Sequence, residues 1–176
     1  MTTNPSPHPD TPSNPEVEAI RARLGRLLDT TRLVHWSLPD GDFLVVRDSA
    51  AMMLRPGLDV QEIPVVLIRG IVLIGVPFTV ELIDWLADEA QSITSFDVMV
   101  ETSDDGHDTL MFEHIVDTDD TTDAEFLGVA LAILDDVERH ASRLEDRFGG
   151  QQFWPSMIAR ASEGIDIGVT LHPEWN

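Results

Sequence analysis

The stretch that decides the fold is PVVLIRGIVLIGV, residues 64–76. Val and Ile dominate it, and such β-branched residues fit a pleated, buried surface. Arg69 and Gly70 interrupt the run, which therefore falls short of the ~18 uncharged apolar residues that a bilayer-spanning helix needs. We expect residues 64–76 to form the centre of a sheet, either as one long strand with a kink at Gly70 or as two strands joined there by a tight turn.

Short β-type segments lie on both sides of this central run, at residues 33–38, 43–46, 50–55, 96–102 and 108–116. Pro39-Asp40-Gly41-Asp42 joins the first two segments, and Ser103-Asp104-Asp105-Gly106 joins the last two, with residue types that suit tight turns. Both pairs are therefore predicted to form hairpins. Pro56-Gly57 is expected to end the third segment.

Three helices are predicted around this sheet, at residues 15–31, 79–91 and 122–148. The first begins where Asn14 caps the chain before Pro15. The third begins with the capping box of Thr122 and Glu125, and its apolar residues recur at steps of three and four up to Phe148. Gly149-Gly150 ends this long helix.

The second predicted helix carries apolar residues around an unusually wide arc, roughly 220° when successive residues are placed at ~100° steps. One core-facing stripe needs far less. The helix therefore either lies under other elements or contacts a second chain. Leu82, Trp85 and Leu86 are the candidate residues for a partner or homodimer interface.

The two ends of the chain differ in composition. Residues 1–14 are rich in Pro and lack large apolar side chains, which predicts a flexible leader. Residues 15–150 are predicted to form one α+β domain with an α-β-β-β-α-β-β-α layout, an antiparallel sheet covered by helices and a long C-terminal helix. Residues 151–176 form an extension that packs back as a short helix and strand, or docks on a partner through Trp154 and Trp175.

The charge balance is strongly acidic, with 32 Asp and Glu against 11 basic residues and a formal net charge of −21. Such a field repels phosphate backbones and anionic membranes, so we expect neither nucleic-acid binding nor membrane insertion. It attracts basic or partly folded polypeptides, and mimicry of DNA towards a basic protein is an alternative function. The start of the chain lacks the basic and apolar segments of a signal peptide, which predicts a cytoplasmic location.

All the basic residues are Arg, and the sequence contains no Lys, Cys or Tyr. Schiff-base, thiolate and P-loop Lys chemistry are therefore excluded, and we predict no catalytic residues and no cofactor. A small metal-binding or hydrolytic site at His107, Glu113 and His114, beside Asp108, is an alternative, although alternating side chains of one strand cannot all share a face. The acidic loop 117–123 departs from the calcium-loop pattern and is expected to complement a helix N-terminus.

The order of elements resembles that of the type III secretion chaperones and the related YbjN-like domain. The resemblance is carried by PDGDFLVV (39–46), the run through Val76, residues 79–91, TLMFEH (109–114) and ERHASRLEDRFGG (138–150). It implies a small acidic protein, often a homodimer, that binds an extended segment of a client chain without nucleotide hydrolysis. The predicted function is therefore a non-enzymatic chaperone or adaptor that binds a partner polypeptide, and a regulatory adaptor role is an alternative to one in secretion.

Overall fold

The chain folds as an α+β domain in a computed structural model, which describes residues 14–102 and 108–162. The elements follow one another as α1 (Pro15–Asp29), β1 (Val34–Ser37), β2 (Phe43–Arg47), β3 (Ala50–Leu58), β4 (Pro64–Val76), α2 (Val80–Asp88), a single 3₁₀ turn (Ala90–Ser92), β5 (Asp97–Thr102), β6 (Asp108–Asp117), α3 (Asp123–Phe148), β7 (Gln151–Gln152) and α4 (Phe153–Ser162). Most of the predicted leader, the turn of the second hairpin and residues 163–176 lie outside the described residues.

The strands form one antiparallel sheet in the order β1-β2-β3-β4-β6-β5, and β7 pairs with one end of β4. Both predicted hairpins pair antiparallel, β1 with β2 and β5 with β6. The central run is one long strand, since residues on both sides of Gly70 pair with β3 and β6 in continuous register from Val65 to Ile71. The two-strand alternative is therefore wrong.

The sequence predicted that Pro56-Gly57 would end the third strand, and this prediction is wrong. Strand β3 continues to Leu58, and Pro56 and Gly57 pair with Val66 and Val65 of β4. The fixed φ of proline is compatible with extended backbone, and the neighbouring strand supplies enough pairing to carry the chain through both residues.

Gly70 lies where α3 crosses the sheet. A Cβ atom at this position would come within 2.5 Å of Ile133 Cγ2 and 2.7 Å of Val137 Cγ2, both on α3. The missing side chain therefore lets the long helix approach the central strand closely. Close packing of helix on sheet, and not a turn, accounts for this glycine.

The face of the sheet under α1 and α3 forms the main core. The buried side chains of the two helices include Leu24, Leu28, Phe126, Ile133, Val137 and Leu144, and those of the strands include Val45, Met52, Leu54, Ile68, Val72 and Phe112. The capping box predicted for α3 is present, with Thr122 and Glu125 each bonded to the other's backbone. α2 is shorter than predicted, because it ends at Asp88 and passes into the 3₁₀ turn.

The opposite face of the sheet has a smaller core under α4. Trp154 is 1% exposed and packs with Leu44, Val46 and Ala51 of β2 and β3. Its ring centroid lies 5.6 Å from that of Trp36 on β1. Residues 151–162 therefore pack on the domain, as a short strand followed by a helix.

Candidate functional site

Strands β4, β6 and β5 present apolar side chains on the face opposite α1 and α3, and α4 lies beside them in contact with β3 and β4. We call this surface the open sheet face, and it comprises Val65, Leu67, Arg69 and Ile71 of β4, Met111, Glu113 and Ile115 of β6, and Asp97, Met99 and Glu101 of β5. Ile115 is 57% exposed and Met99 is 41% exposed, whereas Ile71 and Met111 are buried. Met99 and Ile115 lie on the same face of the sheet, separated by the charged pair of Asp97 and Glu113, and such exposed apolar side chains can contact another chain.

A charged cluster lies within the open sheet face and links its three strands. Arg69 Nε donates a hydrogen bond to Glu113 Oε2 at 2.7 Å, and Arg69 Nη1 donates to Glu101 Oε2 at 3.1 Å. The side chains of Arg69 and Glu113 are only 19% and 14% exposed. One arginine thus satisfies two carboxylates, and the cluster keeps one net negative charge.

A groove of about 250 Å³ lies between this charged cluster and the first residue of α4. It is lined by apolar side chains including Met53, Ile71, Met111 and Phe153 and by the charged side chains of Arg55, Arg69 and Glu101. Methionine side chains adapt to differently shaped apolar groups, so such a groove suits a partner side chain of no fixed shape.

Arg55 borders this groove and is held by a buried carboxylate. Its Nε donates to Asp42 Oδ2 at 2.8 Å, and the Asp42 side chain is only 6% exposed. The hydrogen bond to Asp42 raises the pKa of Arg55, with a further contribution from the nearby acidic charges and against the opposing effect of burial. The guanidinium therefore stays charged and fixed at the edge of the groove.

The predicted interface residues of α2 lie inside the domain. Leu82 and Trp85 are 0% and 2% exposed, and the Trp85 ring centroid lies 5.0 Å from that of Phe148 on α3. Leu86 is half-buried against the same core. Leu82 and Trp85 are thus not exposed on the surface of the domain, and Phe148 at the end of α3 packs against Trp85.

Trp154 and Trp175, the predicted C-terminal docking residues, have different outcomes. Trp154 is in the core under α4, and Trp175 lies outside the described residues. The sequence analysis also did not identify Met99 and Ile115 as exposed apolar residues. Both follow β-type alternation, and they are as apolar as the buried residues beside them.

The alternative metal or hydrolytic site is not brought together. Glu113 lies on the open sheet face, bound to Arg69, whereas His114 lies on the other face with its ring 5.7 Å from Phe96. Asp108 is buried and accepts a hydrogen bond from Thr102, and His107 is not among the described residues. Within residues 14–102 and 108–162, no group of three His, Asp or Glu side chains is placed to hold a metal ion.

The acidic loop after β6 is organised by contacts within the chain. Arg23 of α1 donates to the carbonyl oxygens of Thr118 and Thr121, at 2.7 and 2.8 Å, and to Asp123 at 2.8 Å. Asp117 accepts from the backbone N–H of Asp119 at 2.8 Å. The loop thus joins α1 to the start of α3.

A scan against models of known protein families and a search of curated proteins both find no match to this chain. Of the helices in the described part of the chain, none combines the length and the apolar character needed to cross a membrane. The resemblance to secretion chaperones and YbjN-like domains stays a prediction.

Proposed function

We propose that this protein is a non-enzymatic adaptor or chaperone that holds a partner polypeptide on the open sheet face. The observation that carries the proposal is the exposure of Ile115 and Met99, at 57% and 41%, on a sheet whose other face packs against helices. Burying such side chains against a partner is worth ~25 cal/mol for each Å² of apolar surface removed from water.

The edge of the sheet offers a second means of holding a chain. Among the described residues, β5 is the last strand in the sheet order, and it pairs with β6 along one side. Its other side carries backbone groups that an extended segment can pair with, which adds affinity without demanding a particular sequence. A partner segment lying beside β5 would place its side chains next to Met99, Glu101 and Asp97 on the open sheet face.

The charge of the protein favours a basic partner. Asp97 and Glu101 are exposed on β5, and the formal net charge of the whole chain is −21. Complementary charge accelerates association and discriminates against acidic chains. A basic partner also agrees with the alternative of DNA mimicry, in which DNA and this protein would compete for one partner.

We propose a non-enzymatic role because of the residue types that the sequence contains and lacks. The sequence contains no Lys, Cys or Tyr, and the Glu113 and His114 side chains lie on opposite faces of the sheet. A homodimer is implied by the resemblance, and Leu82 and Trp85, which were expected to contribute to it, are buried inside the domain.

The proposal is tested by cross-linking and co-isolation from the native host with matched variants. Ile115→Asp places a charge on the open sheet face, and Val60→Asp adds the same charge at a turn where Val60 is 99% exposed. We expect one defined chain to be recovered with the wild type and with Val60→Asp but not with Ile115→Asp. Equal recovery by all three would contradict the proposed surface, and release of the chain by added DNA would favour mimicry.

A further inference from the structure

Helix α2 has two apolar stripes on different sides. Leu82, Trp85 and Leu86 face the core, which accounts for one side of the helix. Val80 and Ile83 are 73% and 44% exposed on the other side. Ala87, also exposed, continues this second stripe at spacings of three and four residues. The apolar arc of this helix is thus wider than the part that packs in the core of the domain.

The exposed stripe of Val80, Ile83 and Ala87, which we call the α2 stripe, is extended by Phe78 before the helix. Phe78 is 61% exposed. All four residues therefore present apolar surface to solvent, although they follow shortly after the buried Val76 at the end of β4. Nothing in the described part of the chain buries them.

Two carboxylates flank the α2 stripe and form no ion pair with the described residues of the domain. Asp84 and Asp88 are exposed and follow Val80 at four-residue steps, which places them along one side of the stripe. Arg147 instead binds Glu89 at 2.8 Å and Glu81 at 3.3 Å. Within the described residues, Asp84 and Asp88 form no ion pair, so their charge remains available to a partner.

We propose that the α2 stripe binds a basic amphipathic helix of a partner protein. The apolar stripe of such a helix would cover Val80, Ile83 and Phe78. Its Lys or Arg residues, spaced one turn apart, would pair with Asp84 and Asp88, which are themselves one turn apart. This inference adds a second binding surface to the proposed function, and it does not depend on the open sheet face.

Charge decides between a basic partner and a second copy of this chain. A second copy would bring another formal charge of −21 to a helix whose free side chains beside the stripe are acidic. Like charges placed close together oppose association, whereas a basic helix gains from the same carboxylates. The α2 stripe is also on the helix-covered side of the sheet, so both surfaces can be occupied together.

The test uses the full chain and a model helix. The probe is a Leu/Lys peptide of about 18 residues, long enough to be helical, with Leu along one face. A second peptide of equal charge has Ser in place of every Leu. Binding is measured by fluorescence anisotropy at two salt concentrations, and thermal unfolding by circular dichroism confirms that each variant is folded.

Matched variants separate the apolar from the charged contribution. Val80→Gln with Ile83→Gln removes the apolar stripe, and Val60→Gln is its control in an exposed turn. Asp84→Asn with Asp88→Asn removes two charges, and Glu62→Gln with Asp120→Asn removes two charges elsewhere on the exposed surface. We expect each stripe pair to weaken binding of the Leu/Lys peptide by about tenfold, and the controls to change it by less than about twofold.

Four results would overturn the inference. The first is equal binding of the Leu/Lys peptide by the stripe variants and the wild type. The second is equal binding of the Ser-containing peptide, which would indicate charge alone. The third is a wild-type dimer in sedimentation that Val80→Gln with Ile83→Gln converts to monomer. Peptide binding lost only in Ile115→Gln would also overturn it, while supporting the open sheet face.

Discussion

Gly70 on β4 and Ile133 on α3 approach so closely that a Cβ atom at Gly70 would lie 2.5 Å from Ile133 Cγ2. The contact is at the centre of the domain, where α3 crosses the longest strand. The position of α3 over the sheet therefore depends on the absence of one side chain.

Gly70→Ala is expected to destabilise the protein by about 1–3 kcal/mol, because both Ile133 and Val137 must move to admit the methyl group. Urea unfolding measures the change. Gly57→Ala is the matched control on β3, since a Cβ atom there meets nothing within 4 Å. If both variants lost the same free energy of unfolding, the cause would be the strand propensity of glycine and alanine and not the contact with α3.

Replacement of Trp85 and Ile83 by Ala should have very different effects, although both lie on α2. Trp85 is 2% exposed and packs against Phe148, so Trp85→Ala should lower the free energy of unfolding by about 3–5 kcal/mol. Ile83 is 44% exposed, and Ile83→Ala should change it by less than about 0.5 kcal/mol. Chemical denaturation of the two variants checks the orientation of the helix, and similar losses would contradict it.

The ion pair between Arg147 and Glu89 should make the folded state sensitive to acid. The hydrogen bond from Arg147 lowers the pKa of Glu89 below its usual value of 4.5. A lowered carboxyl pKa contributes stability above the unfolded-state pKa, and that stability is lost as pH falls through the folded-state pKa. We therefore expect a contribution that is complete near neutral pH and disappears on acidification below about 4.5.

NMR titration of Glu89 measures this directly. In Arg147→Gln the pKa of Glu89 should rise towards its usual value, whereas Arg26→Gln, at an exposed site on α1, should leave it unchanged. High salt should reduce the difference, because the pair is at the surface. An unchanged Glu89 titration in Arg147→Gln would contradict the assignment.

Replacement of Arg69 alone should lower the free energy of unfolding more than replacement of both Arg69 and Glu113. Arg69→Met leaves Glu113, which is 14% exposed, without its guanidinium partner, and should lower the free energy of unfolding by about 3 kcal/mol. Arg69→Met combined with Glu113→Leu leaves no such charge and should recover most of that loss. A double-mutant cycle of unfolding free energies tests this, and simple additivity would show that the two groups are not coupled.

The sequence predicted the elements well where the signal is local. The capping box of Thr122 and Glu125 and the regular apolar spacing of α3 depend on residues within the helix itself, and the helix has the predicted bounds within one residue. The hairpin of β1 and β2 likewise follows from the turn chemistry between its strands. The antiparallel α+β fold follows from these elements together.

The surfaces could not be predicted, because they depend on residues far apart in the chain. Trp85 is buried because it meets Phe148, which follows it by more than sixty residues. Ile115 and Val116 are equally apolar neighbours on β6, yet only Val116 faces the helices. Alternation along β6 cannot indicate which of the two faces is covered.

The position of α4 also limits the size of what the open sheet face can hold. α4 contacts β3 and β4 beside that face and packs through Trp154 against Leu44 and Val46 of β2, which leaves β6, β5 and the rest of β4. Three strands spaced ~4.8 Å apart present a surface about 10 Å across between the outer strand axes. That width accommodates a single helix or one to two extended segments, so a folded domain could engage this face only by offering a protruding segment and not by laying a whole sheet against it.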